Sequence, residues 1–312
     1  MRGRCAGSAS FVMLVLLAAC GGAESGSGGP AREAGAARPA IPPPGTDIWI
    51  AELSRDADGG LVVGMPVNVT DRPGYDNQPY FLNDTAGFWY TVIDESGQAD
   101  IWFYDLGLGA ARAVTRTSPE SEYSATPLPD RSGFSAVRVE ADSTQRLWRF
   151  DRSGENAVPL LPDLKPVGYQ AWADDSTLVL YVLGDPPTLQ VVNTATGEAR
   201  VVARNVGRAI QRIPGTHAVS FTQRTEDGTE IRRLDPATGA TGRVAPGVDA
   251  ADFHTWTPDG TLLQASGSKL YAWDPEAERW NEVADFSHLG LTLSRLAVSP
   301  DGTRIALVAE GS

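Results

Sequence analysis

Short runs of alternating apolar and polar residues, each closed by a polar turn, fill most of the chain after residue 45. The pattern is clearest between Asp76 and Thr115, where four runs rich in aromatic and β-branched residues are separated by Gly, Asn, Asp and Ser. Such runs are typical of β-strands, and turns of this composition favour antiparallel connections. The stretch predicts a four-stranded meander with strands at Pro79–Leu82, Phe88–Ile93, Asp100–Leu106 and Arg112–Thr115.

The meander recurs along the chain. Each copy contains a short frame, a polar turn ahead of an apolar strand, as in Trp-Thr-Pro-Asp-Gly at 256–260 and Val-Ser-Pro-Asp-Gly at 298–302. We call one residue at the same place in each frame the frame residue. Successive frame residues are separated by 46, 45, 40, 44 and 42 residues. A period of ~40–45 residues with four strands per unit is typical of a β-propeller. The frame residues are Asp84, Asp130, Asp175, Gly215, Asp259 and Asp301.

The two ends of the chain supply the parts of one repeat. After the last frame residue, Asp301, a single apolar strand follows, while Asp47–Leu53 matches the third-strand pattern of Asp100–Leu106. We therefore predict that Leu291–Glu310 and Thr46–Thr70 form one composite blade. The predicted fold is an all-β, six-bladed propeller of four-stranded antiparallel blades. Closing the ring in this way removes the free edges that open sheets expose to aggregation.

Three segments resemble the WD-like repeats of TolB-type six-bladed propellers. They are the run Ser299–Val308, the Asn-x-Pro-x-Phe run that begins at Asn77, and Asp100–Leu106. The resemblance covers about residues 46–312 and is weakest over 208–249. It implies a bacterial protein of the periplasm or cell surface that makes contact with other proteins. Some relatives in that family are the propeller halves of serine peptidases.

Residues 1–19 have the pattern of a bacterial lipoprotein signal peptide. Arg2 and Arg4 precede an apolar core that is too short to span a membrane. The Leu-Ala-Ala-Cys motif ending at Cys20 resembles a lipobox, so we expect Cys20 to become the lipidated first residue and to anchor the protein in the membrane. Stable anchoring of this kind needs more than one acyl chain. The alternative is an ordinary secretory signal cleaved after Ala19.

The composition of residues 20–312 separates a tether from a folded domain, and the net charge limits which partners the protein can bind. Residues 20–45 are rich in Gly, Ala and Pro without apolar periodicity, which predicts a disordered tether ahead of a propeller domain over 46–312. Cys5 lies in the predicted signal, so we expect no disulfide in the mature chain. The net charge is −13. An acidic protein repels nucleic acid, which we exclude as a partner.

Sequence motifs of catalysis are missing from the chain. It contains neither Gly-x-Ser-x-Gly nor His-Glu-x-x-His. His217 and His288 fall at strand edges or in connections, whereas His254 is predicted on an innermost strand. His254 is either a ligand or contact in the pore or a hydrogen-bonded core residue, and we favour the second. Trp172 and Trp256 share one place in the frame, which favours packing between blades.

The start of each innermost strand is predicted to line one mouth of the central channel, where propellers usually meet ligands. The aligned residues are polar and aromatic with a net acidic lean, which suits a basic or hydrogen-bonding partner. They are Asp76, Asn77, Glu122, Tyr123, Tyr169, Gln170, Gln211, Asp252, His254, Ser294 and Arg295.

These observations favour a lipid-anchored, extracytoplasmic, monomeric propeller that binds an envelope protein or peptide without catalysis, metal or cofactor. The alternative is an enzyme of the lactonase or sugar-dehydrogenase-like kind, with a metal or cofactor in the channel. Only His254, Glu122 and Asp252 are available for that chemistry. A structural lipoprotein without a discrete ligand is the third hypothesis.

Overall fold

The computed structural model describes residues 43–249 and 251–310. This part of the chain consists of β-strands, numbered in chain order, and one short 3₁₀-helix, Ser287–Leu289. The predicted signal peptide, the lipidation site Cys20 and most of the predicted tether lie outside the described residues. The strands are β1 (Thr46–Arg55), β2 (Leu61–Val63), β3 (Val67–Asn68), β4 (Tyr75–Phe81), β5 (Gly87–Ile93), β6 (Ala99–Asp105), β7 (Ala110–Ala113), β8 (Ser121–Pro127), β9 (Gly133–Val139), β10 (Gln145–Asp151), β11 (Val158–Pro159), β12 (Val167–Trp172), β13 (Thr177–Val182), β14 (Thr188–Asn193), β15 (Ala199–Arg204), β16 (Val206–Arg212), β17 (Val219–Thr225), β18 (Gly228–Leu234), β19 (Thr241–Pro246), β20 (His254–Trp256), β21 (Leu262–Ser266), β22 (Lys269–Asp274), β23 (Arg279–Asp285), β24 (Thr292–Val298) and β25 (Arg304–Glu310).

The strands form antiparallel meanders, as the repeat predicts. Strands β8–β11, β12–β15, β16–β19 and β20–β23 each make a separate four-stranded sheet. The predicted meander between Asp76 and Thr115 corresponds to β4–β7, which pair in sequence order. Its first strand begins earlier than predicted, at Tyr75, because a bulge between Asn77 and Tyr80 lets the pairing with β5 continue on both sides of the irregularity.

Tight turns between strands are held by aspartate side chains. Asp94 Oδ1 accepts hydrogen bonds from the backbone N–H groups of Ser96 (2.8 Å) and Gln98 (3.1 Å), and Asp151 Oδ1 does the same for Ser153 (2.9 Å). These contacts bend the chain locally and explain why an Asp recurs at the end of so many strands.

The two ends of the described chain are joined by strand pairing, which confirms the predicted composite blade. β1 pairs with β25 in antiparallel register from Thr46–Glu310 to Glu52–Arg304, and β25 pairs with β24. The outer strand is divided, because β2 pairs with the end of β1 and β3 with its middle. Pro66 lies in the gap and has no N–H group to donate to a ladder.

The innermost strands β4, β8, β12, β16, β20 and β24 follow one another in a closed cycle, in which each contacts the next and β24 contacts β4. β1 also touches β4 through one parallel pair, Thr46–Tyr75, which merges two meanders into a nine-stranded sheet. We interpret that sheet as two blades. Under this interpretation six blades account for all the sheets of the described residues, and the blade count stays a prediction.

The hydrophobic core is divided into packets between neighbouring sheets. In one packet Phe134 stacks on Phe150 with ring centroids 5.0 Å apart and meets Trp89 of the preceding sheet at 4.9 Å. Burying one such side chain contributes about 1.5–3 kcal/mol. Every residue of β5 is buried, since this strand has packed neighbours on both faces. In the part of the chain that is described, no helix is long and apolar enough to cross a membrane.

Closure by β1 predicts a stability effect at Ile48. This side chain is fully buried in a cluster with Phe88, Ala306 and Val308, which joins β1 to β25 and β5. We expect Ile48→Ala to lower the free energy of unfolding by about 2–5 kcal/mol in urea denaturation, because it leaves a cavity at the closure. The exposed Glu52 of the same strand serves as control, and Glu52→Ala is expected to change stability by no more than about 0.5 kcal/mol. Equal effects of the two changes would show that β1 does not hold the ring.

Candidate binding site in the central channel

A cavity of about 340 Å³ lies among the innermost strands and is lined by residues from all six of them. We call it the channel cavity. Its wall includes Asn83, Pro129 and Asp174, which belong to the turns after β4, β8 and β12. A second cavity of about 290 Å³ shares Tyr80 and Gln211 with it. The site therefore extends towards the ends of the innermost strands, whereas the sequence predicts a site at their starts.

One residue from each repeat lines the channel cavity at the same place in the repeat, six positions before the frame residue. We call these six residues the waist ring. Their side chains are mostly polar or aromatic, and two of them sit at left-handed backbone positions beside bulges in β4 and β8. A bulge inserts one residue and turns the following side chains. The waist ring is Gln78, Ser124, Tyr169, Ala209, Phe253 and Arg295.

Arg295 reaches across the channel. Its guanidinium carbon lies 3.7 Å from the ring centroid of Phe253 and 5.1 Å from that of Tyr169. Nη2 of Arg295 also donates a 2.9 Å hydrogen bond to the Tyr169 hydroxyl. Tyr169 is on β12, which lies three places from β24 in either direction around the cycle. Arg295 thus connects opposite sides of the ring.

The wall of the channel cavity carries more positive than negative charge. Four arginines and two aspartates line it. Of the arginines, Arg208 is paired with Asp252 at 2.7 Å. Within residues 43–249 and 251–310 no acidic side chain forms an ion pair with Arg131, Arg212 or Arg295. The channel cavity is thus basic, whereas the eleven residues predicted at the strand starts lean acidic.

None of the acidic residues of the predicted site lines the channel cavity, and each is paired with an arginine. Glu122 is fully buried and accepts hydrogen bonds from Arg138 Nε (2.8 Å) and the Thr117 hydroxyl (2.6 Å). Burial raises the pKa of Glu122, and these two partners oppose the rise. Asp252 binds both the backbone N–H and the Nε of Arg208. The two carboxylates therefore neutralise arginines within the ring wall.

Asp76 is also buried, close to the contact between β1 and β4. Its Oδ1 accepts a 2.6 Å hydrogen bond from Arg72, while Oδ2 has no partner among the described residues. Burial raises the pKa of Asp76 from its ordinary value of 3.8 to about 6, although Arg72 acts in the opposite direction. The neighbouring Asn77 donates from Nδ2 to Thr46 Oγ1 at 3.2 Å, so this part of the predicted site supports the closure.

The start side of the channel is occupied by side chains. Tyr75 begins β4, and burial raises the pKa of its hydroxyl while the positive charges of Arg295 and Arg208 oppose the rise. Neither Tyr75 nor Tyr123 is part of the channel cavity wall. Ser294 lies at a bulge of β24 and donates its hydroxyl to the Val308 carbonyl at 3.3 Å. The cavity consequently does not extend to the predicted mouth.

His254 takes part in a hydrogen-bonding motif between blades that occurs twice. In one copy Ser135 Oγ donates to Gln170 Oε1 (2.6 Å) and accepts from Trp172 Nε1 (3.0 Å). In the other, Ser220 Oγ meets His254 Nε2 at 2.8 Å and accepts from Trp256 Nε1 at 2.8 Å. The predicted role of the two tryptophans in contact between blades is confirmed.

The surrounding hydroxyl groups favour one tautomer of His254. Thr222 donates its hydroxyl to the Asp252 carbonyl (2.9 Å) and lies 3.3 Å from His254 Nδ1, and Ser220 Oγ lies closer to Nε2 (2.8 Å) than to the Gln211 carbonyl (3.2 Å). We therefore assign the proton to Nδ1 and the acceptor role to Nε2. Burial lowers the pKa of His254 to about 4, which keeps the ring neutral. His254 Nε2 thus has the acceptor role of Gln170 Oε1.

Five of the eleven predicted residues line the channel cavity, namely Tyr169, Gln170, Gln211, His254 and Arg295. The other six do not line it, namely Asp76, Asn77, Glu122, Tyr123, Asp252 and Ser294. Of the waist ring, sequence reasoning missed Gln78, Ser124, Ala209 and Phe253. The signal that finds them is the constant offset of six residues from the frame residue.

One member of the waist ring has an unused polar atom. Ser124 Oγ is buried and has no hydrogen-bond partner in the described part of the chain. As a hydroxyl it can donate one hydrogen bond and accept two. No group of three or more His, Cys, Asp or Glu side chains that could hold a metal ion occurs among residues 43–249 and 251–310.

The geometry defines the class of the protein as an all-β propeller with an axial cavity. No protein-family model and no curated protein sequence matches the chain. Among solved structures, putative TolB from Agrobacterium tumefaciens is similar at 12% identity with a TM-score of 0.65, over 86% of this chain and 99% of that one. TolB from Acinetobacter baumannii is similar at 13% identity with a TM-score of 0.56, over 85% of this chain, and the present chain spans only 64% of it.

An enzyme is similar in structure to the same degree. A gluconolactonase, XC5397 from Xanthomonas campestris, has a TM-score of 0.61 at 13% identity, over 89% of this chain and 99% of that one. At such identities the likeness establishes the propeller fold and leaves the function to be argued from the site.

The motif between blades predicts which change His254 tolerates. We expect His254→Gln to cost less than about 1 kcal/mol of unfolding free energy, because glutamine restores the acceptor for Ser220. His254→Ala is expected to cost about 2–4 kcal/mol, since it leaves a void and removes the partner of a buried hydroxyl. Urea denaturation of the two variants measures the difference. A glutamine variant as unstable as the alanine variant would contradict the structural role.

The raised pKa of Asp76 predicts a pH dependence. A carboxyl whose pKa is higher in the folded state stabilises the fold when protonated, so its contribution is complete below about pH 4 and is lost as the pH rises through about 6. Asp76→Asn should therefore gain stability relative to the unchanged protein between pH 4 and pH 7.5, by on the order of 2 kcal/mol. Thermal unfolding at both pH values tests this.

The comparison needs a reference for the loss of one negative charge. Asp58→Asn removes a carboxylate from an exposed turn and supplies that reference. If the relative stability of Asp76→Asn does not change with pH after this correction, Asp76 does not carry the raised pKa.

Proposed function

We propose that the protein is an extracytoplasmic, lipid-anchored propeller that binds a protein or peptide of the cell envelope, with a segment of the partner entering the channel cavity. The observation that carries the proposal is the cavity itself, which is lined by residues of all six innermost strands and of the turns after β4, β8 and β12. Its wall contains arginine and aromatic side chains, the residue types that are enriched at the centres of protein interfaces.

The likeness to TolB supports this proposal through the fold alone. The proposed location rests on the lipobox-like motif at Cys20, which lies outside the described residues. We propose one folded copy per anchor.

Binding without catalysis fits the state of the three residues available for an enzyme. Glu122 is bound by Arg138, Asp252 by Arg208, and the neutral His254 by Ser220 and Thr222. A lactonase-like reaction would first require these contacts to break. The likeness to a gluconolactonase keeps that alternative consistent with the fold, and no side-chain arrangement in the described residues favours it.

Site-specific photo-crosslinking in cells tests the proposal. Tyr80 lines both cavities and is 40% exposed, so the photoreactive amino acid p-benzoylphenylalanine replaces it with an aromatic side chain of similar shape. Leu108, 80% exposed in the turn between β6 and β7, is the matched control. We expect one envelope protein to be crosslinked from position 80 and not from position 108.

Identical adducts from both positions would show that capture does not depend on the channel cavity. A complete lack of adducts from position 80 in growing cells would contradict a stable partner at this site.

A further inference from the structure

The channel cavity has an electrostatic preference opposite to that of the whole protein. The chain has a net charge of −13, yet four arginines and two aspartates line this cavity. One aspartate, Asp174, already accepts hydrogen bonds from the backbone of Ser176 and Thr177. Arg208 is neutralised by Asp252, so Arg131, Arg212 and Arg295 face the two aspartates of the wall and leave it with one excess positive charge. A concave wall of one charge concentrates ligands of the opposite charge.

Arg295 is the arginine most constrained by its surroundings. It is half-buried, it stacks against Phe253, and its hydrogen bond goes to the neutral hydroxyl of Tyr169. A guanidinium has five N–H donors in a planar fork that matches a carboxylate. Taking this charge partly out of water without an anionic partner is costly. A ligand that supplies the anion would remove that cost.

The hydroxyl of Ser124, another member of the waist ring, also has no hydrogen-bond acceptor among the described residues. Ser124 is one of the residues that line the channel cavity, and its Oγ is buried without a partner among the described residues. Buried hydroxyls are normally hydrogen-bonded. Ser124 and Arg295 occupy equivalent places in their repeats, both in the waist ring.

We propose that the waist ring binds a carboxylate presented by an acidic peptide segment, with Arg295 as the ionic anchor and Ser124 as a hydrogen-bond donor. This inference rests on the proposed function and adds the chemistry of the ligand. The carboxylate comes from an Asp or Glu side chain or from the C-terminus of the partner. On binding, it replaces the Tyr169 hydroxyl as the acceptor for Arg295.

The walls above the waist ring favour a peptide over an acidic sugar. Pro79, Pro127 and Pro129 line the channel cavity, and Pro258 and Pro300 line the second cavity that continues from it. Their apolar rings, together with aromatic side chains at the mouth, suit the side chains of an extended peptide. The two cavities, of about 340 and 290 Å³, share lining residues that include Tyr80 and Gln211, so they are neighbours in the ring.

Defined probes test the inference without knowledge of the partner. The folded protein is titrated by NMR with N-acetyl-Ala-Glu-Ala-amide, with its Gln counterpart, and with N-acetyl-Ala-Ala-Ala that has a free C-terminus. Digalacturonate is the acidic sugar probe. We expect at least one of the two carboxylate peptides to bind at least tenfold more tightly than the Gln peptide, and the two arms separate a side-chain carboxylate from a C-terminal one.

Variants assign the effect to Arg295. Arg295→Gln should reduce the preference for the carboxylate peptide to less than twofold, while Arg116→Gln, the same charge change at an exposed position outside both cavities, should preserve it. Tyr169→Phe removes the hydroxyl that occupies Arg295 and should increase the affinity for the carboxylate peptide. This last variant keeps the test valid if Arg295→Gln folds poorly, because a merely structural contact would not strengthen binding when broken.

The inference is overturned if the Gln peptide binds as well as the carboxylate peptides, if Arg295→Gln keeps the preference, if Tyr169→Phe does not increase the affinity, or if only digalacturonate binds. Its failure is distinguishable from that of the proposed function. A partner crosslinked from position 80 whose capture is unchanged by Arg295→Gln leaves the binding function intact and removes the carboxylate. Binding of the carboxylate peptide without any crosslinked partner would support the carboxylate site and contradict the proposed binding function in cells.

Discussion

The seven residue pairs that join β1 to β25 hold the two ends of the described chain together, and the channel depends on them. The innermost strands meet in a closed cycle because β24, which pairs with β25, is brought next to β4. Without that pairing, β1 and β25 would each lose a neighbour and expose an open edge. The closure is made from residues far apart in sequence, so forming it carries the entropy cost of closing a long loop.

Some arginines near the channel are paired with carboxylates, while another has no acidic partner among the described residues. Glu122 with Arg138 and Asp252 with Arg208 are pairs of the first kind, and Arg295 is of the second. A carboxylate that is paired with an arginine in the wall is not free to take part in catalysis. The same distribution makes the channel basic in a protein whose surface is acidic.

The same hydrogen-bonding motif joins neighbouring blades at two places in the ring. A serine on the second strand of one blade receives a tryptophan N–H and donates to an acceptor from the next blade, Gln170 in one copy and His254 in another. Considered by itself, a histidine near the channel suggests a catalytic or ligand-binding role. Compared with its counterpart in the repeat, His254 is a neutral acceptor that holds two blades together.

The sequence by itself determined the architecture. Alternation with period two, turns of Gly and Asp, and the spacing of the frame residues were enough for the strands, the meanders and the composite blade, because these follow from local backbone preferences repeated along the chain. The positions of Trp172 and Trp256 followed from the same repeat. The candidate site was predictable only in part, since five of its eleven predicted residues line the cavity.

Tertiary structure decided the remainder. Bulges beside Gln78 and Ser124 shift which side chains turn towards the axis, and alternation alone does not reveal an inserted residue. Whether a carboxylate is free or paired depends on contacts across sheets. Arg295 meets Tyr169 across the ring at a separation of 126 residues. Such pairings follow from closure of the whole ring, so no local pattern in the chain specifies them.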